Sequence, residues 1–191
     1  ARILNDKFGL TLIVTKADKP SGRKREITPN PVKKFALEEK IQFLEADKLE
    51  NNITSKIKRL DPDFLVIADY GLILPKEVLV IPKYAPINVH HSLLPKYRGP
   101  SPAPSTILDG EKISGVTIIR MNEDVDAGDI LAQKEYELSN DETTDSLLTK
   151  LNALGGELAC FVIENYLDLK PKAQDGASAT YTRRYKKADG Y

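Results

Sequence analysis

Ile87-Asn88-Val89-His90-His91-Ser92-Leu93-Leu94-Pro95 reads as a buried strand that runs straight into a polar turn. Ile87 and Val89 alternate with Asn88 and His90, so a strand sends the amide and the imidazole to one face, their Cα atoms roughly 6–7 Å apart. Pro95, Gly99, Pro100 and Pro102 follow, which ends the strand in a rigid loop at its carboxyl end, where open α/β sheets bind ligands. Either polar residue alone would be an ordinary hydrogen-bonded strand end. Together they set an amide donor beside a group that titrates near neutrality. Acyl transfer to an amine needs that combination: a donor for the oxygen that becomes negative and a group to handle the amine's proton. No nucleophilic Ser or Cys is required.

Outward from this stretch, Phe64–Ala68 (FLVIA) and Leu10–Val14 (LTLIV) are continuous apolar runs, as in strands buried on both faces of a parallel sheet. Ile41–Leu44, Gly115–Met121 and Asp129–Leu138 also read as strands. Leu49, Ile53, Ile57 and Leu60 share one helix face, and Leu147, Leu148, Leu151, Leu154, Leu158, Phe161, Val162 and Tyr166 make the stripe of a long helix that Gly155-Gly156 weakens. Asn30-Pro31 has the form of an N-cap with proline at the first helical position. Short helices are expected from Lys76 and over Ser101–Leu108. Alternating strands and helices predict an α/β protein with a Rossmann-like, mostly parallel sheet flanked by helices. Ala1–Phe8 reads as the tail of a helix ended by Gly9, with no initiator Met, which points to sequence missing upstream.

With 191 residues, 41% of them hydrophobic, the chain fits one domain with a sizeable core. Its 28 basic and 28 acidic residues cancel, so no global field attracts nucleic acid and any such affinity must be local. Residues 16–34 supply a local excess: seven basic side chains against two acidic ones, a net of +5, among three prolines and a glycine. Cys160, the single cysteine, excludes an intrachain disulfide and has the neighbours of a core residue. No apolar run reads as membrane-spanning. Asn122–Gly128 joins two expected strands, and a carboxylate from it beside His90 would orient the ring.

NVHHSLLPKYRG (88–99), SGVTIIRM (114–121) and DVDAGDIL (124–131) resemble the folate-dependent formyltransferases, and the likeness extends over nearly the whole chain. ADKPSGRKREITPNPVK (17–33) is similar to the inserted loop of the branch that formylates methionyl initiator tRNA, ADYGLILPK (68–76) to its folate-side segment, and QDGASATYTRRYKKADG (174–190) to its connection toward a C-terminal domain. The resemblance implies a catalytic trio of Asn88, His90 and Asp126, with protonated His90 and Asn88 stabilising the oxyanion and Asp126 polarising the histidine. It implies a site for 10-formyltetrahydrofolate lined by Leu72, Ile73 and Leu74 with Ser92, Leu93, Leu94 and Pro95, and Arg23, Lys24 and Arg25 against the tRNA acceptor stem, with no metal. A catalytic domain over 1–180 that lacks the family's first strand, a linker beginning at 181–191, a monomer, a cytoplasmic setting and no membrane partner follow from the same likeness. His91 stands where the family usually has a small residue, and Pro104 where it has a longer polar one. Two other readings stay open: a formyltransferase for an amino-sugar nucleotide, which the basic insert disfavours, and a non-catalytic fragment that retains folate or RNA affinity.

Overall fold

Helix α6 (Thr144–Asn165) and strand β6 (Ala85–His90) form the axis of the molecule. The helix starts in a capping box, where the Thr143 hydroxyl accepts from the Ser146 amide and Ser146 Oγ accepts from the Thr143 amide. Leu147, Leu151, Leu158 and Val162 recur at helical spacing and are buried in one cluster with Ile87 and Val89 of β6 and Val116 and Ile118 of the next strand. Burying each such side chain contributes about 1.5–3 kcal/mol. By length and composition alone α6 could cross a bilayer, contrary to the sequence reading that no segment could. Its apolar stripe is instead occupied by the sheet.

In the computed structural model, which describes residues 1–21, 26–185 and 189, the main sheet has the order β5-β6-β7-β8. Strand β5 (Phe64–Ala68) runs parallel to β6, while β7 (Ile113–Arg120) and β8 (Asp129–Glu137) are antiparallel. The α/β class is as expected, with two of the three pairings in this sheet antiparallel. The turn 121–128 is too short for the crossover that a parallel neighbour requires. A second parallel pair joins β1 (Ile13–Thr15) to β4 (Phe43–Glu45). Helix α3 (Asn51–Arg59) spans both sheets, its Ile53 and Ile57 packing with Leu12, Val14 and Leu44 on one side and Leu65 on the other. No strand pairing links β1 to β5 among the described residues, and Phe64–Ile67 stay half-buried although wholly apolar.

Helix α1 (Arg2–Phe8) ends at Gly9, as read from the sequence. The first strand begins later than the run LTLIV suggests, because the Leu10 amide is taken by Asn5 Oδ1 rather than by a ladder partner. The basic segment is not simply a loop: its arms pair as β2 (Lys19–Ser21) and β3 (Glu26–Thr28). Arg23, Lys24 and Arg25 lie outside the described residues. Asn30 caps α2 (Pro31–Glu38) by accepting from the Val32 and Lys33 amides. Lys33 is committed within the fold, 2.6 Å from Asp18 and 2.9 Å from Glu45. Helix α4 (Lys76–Leu79) follows β5, and α5 (Pro102–Leu108) starts normally despite Pro104, since first-turn amides have no helical acceptor to lose.

After α6 the chain returns as a strap across two loops. Lys172 exchanges both backbone hydrogen bonds with Ile130, and Thr180 and Thr182 bond to the backbone of Pro95, Tyr97, Arg98 and Ser101. The segment expected to begin a linker at 181 is therefore still tied into the domain at Thr182, and Tyr185 shares a hydrogen bond with Ser105.

Candidate active site

Strand β6 turns Ile87 and Val89 toward α6, where Gly155 admits so close an approach that an added Cβ would lie 2.5 Å from Val89 Cγ1. The other face carries Asn88 and His90, 9% and 5% exposed. A buried polar group without a partner costs about 1–3 kcal/mol, and both residues meet the same carboxylate. Asn88 Nδ2 donates to Asp126 Oδ1 at 3.2 Å, His90 Nδ1 lies 3.6 Å from that oxygen, and the Gly99 amide donates to Asp126 Oδ2 at 2.7 Å. The trio read from the sequence thus shares one small volume.

Asp126 arrives by an unexpected route. The Met121 amide donates to the Pro86 carbonyl, so the loop after β7 starts near the amino end of β6 and runs back along its polar face. The site therefore lies on the face of the strand as well as at its carboxyl end. Gly128 makes the return possible, since a Cβ there would stand 1.9 Å from the Arg120 carbonyl oxygen. Asp126 itself has φ 51°, a left-handed conformation that side chains other than Asn and Asp seldom adopt.

His90 Nε2 lies 2.9 Å from the Tyr97 carbonyl oxygen. A carbonyl only accepts, so Nε2 carries hydrogen and Nδ1, facing Asp126, is the atom that gains or loses a proton. Burial is the strongest influence on this ring and holds its pKa below the ordinary imidazole value, with Asp126 pulling the other way. That direction favours the neutral ring in the ligand-free protein, whereas the resemblance implies a protonated one. His91 takes a different carboxylate: its Nδ1 is 3.4 Å from Asp69 Oδ1, while its buried Nε2 has no hydrogen-bond partner among the described residues. The hydrogen bond from His91 is the main reason that the Asp69 carboxyl sits below its usual range.

The turn after His90 is committed to the fold. Ser92 Oγ donates to the Lys96 carbonyl, and the Ser92 carbonyl accepts from Thr117 Oγ1. Thr117 Oγ1 also accepts from the Leu94 amide and from Gln133 Nε2. Ser92 and Leu94 are buried, so only Leu93 and Pro95 of the expected folate-binding turn keep exposed side-chain surface. Leu93 lines a small cavity with Tyr97, Thr106, Ile113 and Ser114.

On the loop after β5, Leu74 is buried with Tyr70, Val78 and Met121 and belongs to the core, whereas Leu72 is half-buried and Ile73 is 80% exposed. Val125 is also exposed, and Lys76 pairs with Glu123 at 2.6 Å, tying the two loops together. Exposed apolar side chains on two joined loops, beside an amide, an imidazole and a carboxylate, fit a flat heterocycle carrying a reactive carbonyl. No cluster of metal-ligating side chains occurs among the described residues. Sequence reasoning missed Tyr97, Gly99, Thr117, Gln133 and Gln174. Thr117 had a legible signal, as a polar residue inside an otherwise apolar strand.

The family model described as formyl transferase matches residues 5–163. The chain is 41% identical over 186 residues to a methionyl-tRNA formyltransferase of Caldicellulosiruptor saccharolyticus, a match that covers 96% of this chain and 60% of that protein. It spans about three fifths of the length of the curated relatives it matches. Among solved structures, phosphoribosylglycinamide formyltransferase from Bacillus halodurans superposes with a TM-score of 0.69 at 24% identity, covering 86% of this chain and 87% of its own. An N-formyltransferase from Helicobacter canadensis, in complex with folinic acid and dTDP-3-aminofucose, gives 0.73 at 18% identity, with 95% and 64% covered. At these identities the structures speak for the fold alone.

Proposed function

Because the chain belongs to the formyl transferase family, we propose that it is the catalytic part of an enzyme that moves a formyl group from 10-formyltetrahydrofolate to the α-amine of methionyl initiator tRNA, as a monomer in the cytoplasm. The observation that carries this reading is the convergence of Asn88, His90 and Asp126 on one face of β6. The folate supplies the formyl group when bound, and Leu72, Ile73, Val125, Leu93 and Pro95 are the side chains with surface to hold it. Leu74 and Ser92 support that site from beneath.

Asn88 gives one amide hydrogen to Asp126 and keeps a second for the formyl oxygen as that oxygen gains charge. His90 takes the role of a base: Nδ1 accepts the proton of the attacking amine as the amine bonds to the formyl carbon, and the imidazolium formed sits against Asp126. That imidazolium returns the proton to the folate nitrogen as the bond from that nitrogen to the formyl carbon breaks and tetrahydrofolate leaves. Asp126 stabilises that cation. Arg23, Lys24 and Arg25 meet the acceptor stem, which gives the local basic excess its purpose in a neutral chain.

The deciding experiment measures formyl transfer by the full-length protein to charged initiator tRNA and to an amino-sugar nucleotide, alongside folate binding by calorimetry. Transfer to tRNA at least 100 times more efficient than to the sugar supports the proposal. Folate binding with the preference reversed assigns the sugar substrate, and absence of folate binding removes the enzymatic reading.

A further inference from the structure

Asp126 is both central to the site and held in a left-handed backbone conformation that costs any residue but glycine free energy, though Asp less than most. Its φ of 51° is left-handed, and its own carboxylate is spent on Asn88, His90 and Gly99, so the turn must be held by something other than Asp126. That support comes from a residue beyond the 5–163 matched by the family model. Gln174 Nε2 donates to the Asp126 carbonyl at 2.9 Å and to the Gly128 carbonyl at 2.7 Å, closing the turn from both ends. Gln174 Oε1 accepts twice from Arg98, from Nε at 3.1 Å and Nη2 at 2.8 Å.

These four bonds exhaust the carboxamide, which has two donor hydrogens and two acceptor lone pairs. They also fix its orientation. A guanidinium only donates and backbone carbonyls only accept, so a flipped amide would lose every bond. Arg98 is itself buried and immediately precedes Gly99, whose amide holds the Asp126 carboxylate. The 97–99 loop, which carries the acceptor for His90, and the 126–128 turn are thus joined twice: once through the carboxylate and once through Gln174. The paired backbone of Lys172 and Ile130 sets Gln174 in place.

We propose that Gln174 is a positioning residue for the reaction, fixing the left-handed turn at Asp126 so that its carboxylate faces His90 and Asn88. This rests on the reading of Asp126 as part of the catalytic trio. The competing account is that Gln174 only satisfies the buried Arg98. Two substitutions separate the accounts. Gln174→Glu keeps an acceptor for Arg98 and removes both donors to the turn, whereas Gln174→Met is similar in shape and removes every bond.

In the full-length protein, kcat and KM are measured with 10-formyltetrahydrofolate and charged initiator tRNA, and amide exchange is followed at Gly99 and Leu151 without substrates. Both variants are expected to lower kcat 10- to 100-fold, to leave each KM within threefold, and to speed exchange at Gly99 at least tenfold while Leu151 in α6 keeps its protection. A Gln174→Glu variant with wild-type kcat and wild-type Gly99 exchange overturns the proposal. So does a loss of kcat matched by loss of protection at Leu151, which would make the residue a general stabiliser. Faster Gly99 exchange with unchanged kcat overturns it as well, whereas an Asp126→Asn variant with wild-type kcat would refute the catalytic reading on which the proposal rests.

Discussion

Replacing Gly155 by alanine sets two effects of known sign against each other. Within a helix the change should stabilise by about 0.8–1.0 kcal/mol, because glycine is the poorer helix former. At this site the new Cβ would stand 2.5 Å from Val89 Cγ1 and 3.3 Å from Val116 Cγ1. Carbon contacts are comfortable near 3.5–4.0 Å, so the overlap with Val89 exceeds an ångström. Valine is stiff at χ1 and cannot swing aside, and Val116 closes the other direction. Overpacking of this kind costs about 1–3 kcal/mol. The packing effect wins: the expected net loss is up to about 2 kcal/mol, or a fall in Tm of up to about 8 °C at 2–4 °C per kcal/mol for a protein of this size. Gly156→Ala is the internal reference. Its Cβ would meet Ile3 Cδ1 at 3.0 Å, the far end of a flexible side chain, so most of the helical gain should survive as a rise of about 2–4 °C. Scanning calorimetry of both variants, and of Gly155→Ala in a Val89→Ala background where the clash is gone, makes the comparison. A Gly155→Ala protein as stable as Gly156→Ala would refute the packing argument. Because Val89 sits between Asn88 and His90, the destabilised variant should also lose kcat.

Three further outcomes follow from the site. Asn88→Ala should lower kcat by about 10²–10³, the usual cost of one oxyanion donor, with folate KM nearly unchanged; single-turnover rates near wild type would exclude the amide from the chemistry. His90 must be unprotonated to accept the amine's proton, and its pKa is lowered from 6.5, so its ring signals followed by NMR should titrate only below that value. A His90 titration midpoint at or above 6.5 would contradict a buried neutral base. Changing Arg23, Lys24 and Arg25 together to alanine should flatten the slope of log affinity for tRNA against log salt by about two to three, with folate binding intact; an unchanged slope removes these residues from the tRNA surface.

What could be read beforehand depended on how local each feature is. The alternation in Ile87–His90 and the apolar run Phe64–Ala68 are properties of single strands, and both appear where expected. Asn30 as a cap and Pro31 at the first helical position are equally local. The approach of Asp126 was inferable only as a loop between two strands, because its path along β6 depends on β7 running antiparallel. Ile73 and Leu74 read alike in the sequence and part company in the fold, since only tertiary packing decides which one meets Met121. Charge counting also overstated the free cations of residues 16–34, for Lys33 is consumed by Asp18 and Glu45, the latter on a different strand. Hydrogen bonds through backbone groups, such as those of Tyr97 and Gly99, leave no trace in residue type at all.

The strap has a consequence for the order in which the molecule can be assembled during synthesis. Gln174 follows Asp126 by 48 residues and Arg98 by 76. At about 5–20 residues per second, a ribosome adds Gln174 roughly 2–10 s after Asp126. Over that interval the nascent chain holds every member of the trio, yet the carbonyls of Asp126 and Gly128 lack the amide that closes their turn. The turn at Asp126 is therefore closed by a segment made well after it, and a chain arrested before that segment would carry Asn88, His90 and Asp126 in an unfinished arrangement.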